Sequence, residues 1–223
     1  MKLVNITKRF GIHTVFSDFN LELKDNSITC FLGPSGSGKT TLLNIIAGLT
    51  DFEGKIDINN DKISYIFQTQ RLLNNLTVED NLLYVLKNCG FSKEEISAKI
   101  SEMLKKVKLE DNKDMYPRQL SGGMAQRVSL ARAFVYPGKI LLMDEPFKGL
   151  DISLKKHIIS TFQNLYEKDP KTTVFVTHDL EEALILGDRI IVIGEGGKVI
   201  FDEENDKSPE AVLSLRERVY RII

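Results

Sequence analysis

Hydrophobic positions along this chain switch between two periods. Residues 28–32, 140–143 and 172–177 are short, nearly continuous apolar stretches, the pattern of strands buried on both faces, and each ends at a polar or glycine-rich corner. Leu3 and Ile6, then Phe19, Leu21 and Leu23, alternate with polar neighbours and predict half-buried strands, with Lys24-Asp25-Asn26 as a turn. Residues 54–60 and 63–67 predict two more strands, and residues 189–193 and 198–202 a closing hairpin through Gly194-Glu195-Gly196-Gly197. Between these runs the period becomes helical. A helix is predicted over residues 41–47; Thr77-Val78-Glu79-Asp80 and Ser92-Lys93-Glu94-Glu95 read as capping signals, and Ile96, Ile100, Met103, Leu104 and Val107 make a stripe at helical spacing. Further helices are predicted after Ser121, after Asp151, over residues 180–186 with Asp179 or Thr177 as cap, and over residues 209–223.

Strands alternating with helices predict an α/β fold. Its expected parts are a mainly parallel core sheet, an antiparallel β subdomain near the N-terminus and a helical subdomain carrying the Ser121 motif. All are read as one domain, with the core at about residues 1–70 and 137–223 and the helical part at about residues 71–136.

The corners carry the chemistry. Gly33-Pro34-Ser35-Gly36-Ser37-Gly38-Lys39-Thr40 joins a strand to a helix and fits the phosphate-loop pattern G-x-x-x-x-G-K-[ST]. Its glycines let successive N–H groups converge on one point, where the helix adds its positive end, so a polyphosphate fits there. Lys39 is placed to reach the β- and γ-phosphates, and the Thr40 hydroxyl to ligate a Mg²⁺ ion that keeps most of its waters. Asp144 and Glu145 end an apolar strand with two adjacent carboxylates, the first suited to supporting the metal and the second to polarising a water aimed at the γ-phosphate. Gln68 also follows a strand, either as a simple cap or as a group meeting the metal or its water. His178 stands at the same edge, where it could donate to the γ-phosphate and hold the attacking water. Ser121-Gly122-Gly123 before a helix offers a second anion-binding end. Phe10 is either a core residue or a ring against a purine, while His13 reads as a loop residue and His157 as a solvated one.

Composition narrows the class without changing it. A chain of 223 residues, 42% hydrophobic and 27% charged, builds a core without disulfides, and Cys30 and Cys89 form no metal spacing. Thirty basic against 31 acidic residues give a formal charge of −1, with no basic block to suggest nucleic acid. The chain opens directly into a strand pattern, and no stretch approaches 18 uninterrupted apolar residues, so the expectation is a chain that neither carries a leader nor spans a membrane.

In order, the phosphate loop, Gln68, Leu120-Ser121-Gly122-Gly123-Met124, Met143-Asp144-Glu145-Pro146, Gly149-Leu150-Asp151 and His178 resemble the nucleotide-binding subunit of ATP-binding cassette transporters over essentially the whole chain. The resemblance implies a P-loop NTPase fold that binds ATP and Mg²⁺, with Thr41 joining the loop residues and Phe10 in the ATP site. It implies Glu145, His178 and Gln68 as catalytic residues and Thr40, Gln68 and Asp144 at the metal. Ser121, Gly122, Gly123 and Gln126 would reach the ATP of a second subunit, and Gly149, Leu150 and Asp151 would form a dimer contact. Implied partners are that second copy, a membrane permease and an external substrate-binding protein, with the chain peripheral at the cytoplasmic face of the membrane and no nucleic acid. Phe67-Gln68, Arg71-Leu72-Leu73, Thr77-Val78-Glu79-Asp80-Asn81, Met124 and the run 145–151 are most similar to importers of nitrate, sulfonate and taurine. Met124 and Phe10 depart from the glutamine and tyrosine usual in the family. Two other classes stay open: a soluble, non-transport cassette of nucleic-acid repair or translation, and a P-loop kinase for a small acceptor.

Overall fold

In chain order the strands are β1 (Lys2–Phe10), β2 (His13–Glu22), β3 (Ile28–Leu32), β4 (Glu53–Asp57), β5 (Ile63–Ile66), β6 (Ile140–Asp144), β7 (Thr172–Val176), β8 (Arg189–Ile193) and β9 (Val199–Glu204). The helices are α1 (Lys39–Ile46), α2 (Val78–Leu86), α3 (Lys93–Lys106), α4 (Gly122–Val135), α5 (Ile152–Lys168), α6 (Leu180–Leu186) and α7 (Pro209–Tyr220). This computed structural model describes residues 1–58 and 62–222; the far ends of the strand expected over 54–60 and of the helix expected to 223 lie outside them. The chain falls into two units, the first formed by Met1–Ile63, Ile140–Glu145 and Lys171–Ile223, the second by Ser64–Lys139 and Pro146–Pro170.

The first unit holds the sheets. β2, β1 and β4 pair antiparallel in that order over Leu3, Ile6, Phe16, Phe19 and Leu21, all buried. His13 opens β2 opposite Phe10 rather than lying in a loop, because the hairpin turns on Gly11 at φ 58 and so needs only two residues. In the other sheet β6, β7, β3 and β8 run parallel and β9 returns antiparallel. Every residue of β3, β6 and β7 is buried, as unbroken apolar runs require when both faces are covered. Cys30 sits between Phe175 and Ile190 in the register, and burial pushes its thiol up, which makes it a core residue and not a nucleophile. Asp188 fixes the start of β3 by accepting from the Ile28 N–H at 2.8 Å. The parallel alignment brings the carboxyl ends of β3, β6 and β7 to one edge.

The second unit is helical. Each helix starts where a side-chain oxygen accepts from the first turn: Thr77 for α2, Ser92 in a reciprocal pair with Glu95 for α3, Ser121 for α4 and Asp151 for α5. α4 packs against α2, α3 and α5, and Phe134 meets Phe162 edge to face at 5.9 Å. The buried Asn81 amide donates to the carbonyls of Leu73, Leu76 and Thr77 and accepts from the Leu73 N–H, fixing the loop that leads into α2.

Candidate active site

In the first unit β3 ends in the buried Leu32 and the chain curls through residues 33–38 into α1. Two of the glycines are required by space. A Cβ on Gly33 would stand 2.2 Å from the Ile193 carbonyl oxygen, and one on Gly38 2.6 Å from Val15 Cγ1; both residues have positive φ, 151° and 96°. Gly38 is the N-cap of α1 and has no side chain to offer, and no acidic residue occupies the first turn, so no side chain caps the positive end of the helix. An anion completes such an end.

Lys39 is 6% exposed, and its Nζ donates to the carbonyls of Gly33 and Pro34 at 2.7 and 2.8 Å. The ammonium is thereby folded over the loop whose amides would take the phosphates. Thr40 Oγ1 donates to Asp144 Oδ1 at 3.1 Å, which joins the first turn of α1 to the end of β6. A hydroxyl and a carboxylate side by side suit a hard cation that takes oxygen ligands and retains its waters. Among the described residues no group of three or more His, Cys, Asp or Glu side chains could cage a metal alone, so Mg²⁺ here would depend on phosphate and water for its other ligands.

Glu145 follows Asp144 with φ 43, in the left-handed region that a residue with a Cβ enters at a cost of about 1–2 kcal/mol. Its N–H donates to the Val176 carbonyl at 2.9 Å, holding the strained turn against β7. The side chain is 17% exposed, and Oε2 lies 3.4 Å from Nδ1 of His178, at the outer edge of hydrogen bonding. His178 is itself more than half exposed, just past β7. Behind it the buried Thr177 donates to the buried Glu182 at 2.7 Å and accepts from the Asp179 N–H, while the Asp179 carboxylate caps α6. The cap of α6 is therefore Asp179, with Thr177 bracing the turn.

A cleft of about 340 Å³, within the size range of small-molecule sites, is lined by Phe10, Val15, Ser35, Gly36, Gly38, Lys39, Thr40, Thr41 and Glu145. Its lining combines residues of the loop and of the first turn of α1 with the Phe10 ring. Phe10 is 53% exposed at the hairpin, so it is not a core residue. Gly33, Pro34 and His178 do not line this cleft but a neighbouring cavity of about 420 Å³, and Ser37 is buried in the loop itself. Val15 was missed by the sequence reading because one valine in an alternating strand carries no signal beyond packing.

The remaining candidates lie in the second unit. Gln68 is exposed, two residues past β5, beside a stack in which Tyr65 and Phe67 lie 4.0 Å apart and the Arg71 guanidinium sits 3.9 Å over Phe67. Arg132 of α4 donates to the carbonyls of Arg71 and Gln70, so this loop is fastened to the helix that Ser121 begins. Ser121 caps α4 through Met124, Gly122 faces open space, and Gly123 is packed so closely that a Cβ would meet Leu154 at 2.5 Å. Gln126 corrects the sequence grouping. It is 1% exposed and donates to the Pro146 carbonyl at 2.7 Å, so its amide serves the interior of its own unit and not a neighbouring chain's ligand. Gly149 has φ 76, and Asp151 uses its carboxylate to cap α5.

Comparison with known proteins gives the family. The family model described as ABC transporter matches residues 16–148. A sulfate/thiosulfate import ATP-binding protein CysA of Mannheimia succiniciproducens is 41% identical over 92% of this chain and 62% of its own length. A probable protein of the same name from Chlorella vulgaris is 41% identical over 88% and 87%. Among solved structures, the dimeric bacterial ABC transporter cassette MJ0796 superposes with TM-score 0.79 at 35% identity, covering 91% of this chain and 97% of that one. The same cassette in a post-hydrolysis state bound to ADP and Pi gives 0.76. This chain spans about six tenths of the length of the first curated relatives it matches. Their names point to sulfate and thiosulfate import, a near neighbour of the nitrate, sulfonate and taurine group indicated by the sequence. From its motifs, its α/β core and these matches, the chain belongs to the ABC transporter family, as an ATP-binding domain.

Proposed function

We propose that this chain is the ATP-hydrolysing subunit of a membrane importer for a small anion, working as a pair of cassettes around two ATP molecules. The observation that carries the reading is the cleft lined by the uncapped start of α1, the folded-over Lys39, Thr40 and the strained Glu145, with Asp144 bonded to Thr40 behind it. Bound Mg²⁺, held by Thr40 with Asp144 beside it, would neutralise charge on the β- and γ-phosphates. The loop amides and Lys39 fix the triphosphate, and Phe10 takes the base. The Glu145 carboxylate accepts the proton of the attacking water, its place fixed by the Val176 carbonyl behind it. His178 meets Glu145 through Nδ1, which leaves Nε2 as the ring nitrogen for a γ-phosphate oxygen; it donates there only in the imidazolium form. Ser121, Gly122 and Gly123 of a second copy would close the triphosphate from the opposite side, with Gly149, Leu150 and Asp151 at that contact.

No helix among the described residues is long and apolar enough to cross a membrane; the membrane permease of this reading is supported by the importer relatives. The relatives named for sulfate/thiosulfate import support a small oxyanion as cargo. Purified chain is expected to release phosphate from ATP, and His178→Ala to lower kcat by about 10²-fold while ATP affinity changes by less than about threefold. Co-purification with an integral membrane protein, and loss of radiolabelled sulfate uptake on deletion, test the transport assignment. A small acceptor phosphorylated in place of phosphate release would make the chain a kinase instead.

A further inference from the structure

Lys8 carries its charge where charge is costly. Its side chain is 5% exposed, in β1 opposite the fully buried Phe16 and two residues from the buried Ile6. A lysine in such a place persists only with partners for its ammonium. Nζ donates to Asp51 Oδ1 at 2.8 Å, and this contact holds the Asp51 carboxyl below its ordinary range. The Asp51 side chain is almost wholly exposed, so the ion pair contributes little stability, and a leucine or methionine would suit the site better on packing grounds alone. The second partner is more informative. Nζ lies 4.6 Å from the centroid of the Phe10 ring, the ring that borders the cleft. A cation against one part of a π-system steadies the ring and draws density from it, and an electron-poor ring stacks better on an electron-rich purine.

We propose that Lys8 is a positioning residue for the nucleotide base: fastened by Asp51, it seats the Phe10 ring and polarises it for stacking in the cleft. The inference rests on the reading of the cleft as an ATP site, and it explains how a bare phenyl ring serves where the family usually has tyrosine.

The test compares ATP with inorganic tripolyphosphate, which keeps the phosphates and lacks the base. Lys8→Met, which preserves the length of the stem, is expected to weaken ATP binding by about threefold to tenfold and to leave tripolyphosphate affinity within about twofold. Lys8→Arg is expected to restore most of the loss. In a Phe10→Leu background, Lys8→Met is expected to change ATP affinity by less than about twofold, because the ring it acts on is gone. Asp51→Asn alters an exposed side chain only and is expected to act in the same direction as Lys8→Met, by about twofold to threefold. Parent-like ATP binding by Lys8→Met, or equal loss for ATP and tripolyphosphate, would overturn the proposal. Phe10→Leu on its own reports on the site reading: if it binds ATP as the parent does, base stacking in the cleft is wrong, whereas a loss there without one in Lys8→Met removes only the role given to Lys8.

Discussion

Glu145→Gln is expected to lower ATP turnover by about 10³-fold or more while ATP still binds. The substitution keeps size and shape and, on the proposed reading, removes two things: the basic oxygen that would take a proton from water, and a negative charge that would face the γ-phosphate. A positioned general base contributes about 10²–10⁴ in rate, which sets the scale. Glutamine inherits the same left-handed φ of 43°, so the turn held by the Val176 carbonyl carries the same strain and the fold is expected to melt close to the parent. Removing the charge also lessens repulsion of bound ATP, so the ATP-loaded state is expected to accumulate. Single-turnover phosphate release separates these effects. Hydrolysis by this variant at the parent rate would remove Glu145 from the chemistry.

Lys39→Met is the second large effect. The ammonium is nearly buried and makes charge-assisted hydrogen bonds to the Gly33 and Pro34 carbonyls. Its loss deletes a positive charge from the phosphate end and frees the loop it folds over. At about 1.5–3 kcal/mol for each hydrogen bond to a charged group, loss of one or two phosphate contacts is expected to weaken ATP and tripolyphosphate alike by about 10²-fold or more. That equal loss contrasts with the base-selective loss expected of Lys8→Met, and calorimetric titration with both ligands distinguishes the two. Melting without nucleotide isolates the share due to the loop.

Much of this was legible in the residues, and the limits have physical causes. The strands over 28–32, 140–144 and 172–176 were visible because full burial on both faces demands unbroken apolar runs. The phosphate loop was visible because glycines packed against Ile193 and Val15 admit no substitute. What escaped were features set by tertiary position. Nothing local says that Lys8 is buried or that Phe10 is exposed, since a lysine normally seeks water and a phenylalanine the core. Gln126 reads like part of an exposed motif, yet its place on α4 turns it toward Pro146. The left-handed turn at Glu145 has no glycine to announce it; it is held by a backbone hydrogen bond to β7, which no local sequence signal shows.

Enclosure of ATP by two copies of the chain is tested most directly by sedimentation of Glu145→Gln. With saturating ATP the 25.3 kDa chain is expected to run at twice its mass, and to return to a single mass when Ser121→Arg is added in the same chain. A Glu145→Gln chain that binds ATP and stays at 25.3 kDa, or a dimer indifferent to Ser121→Arg, would contradict the account.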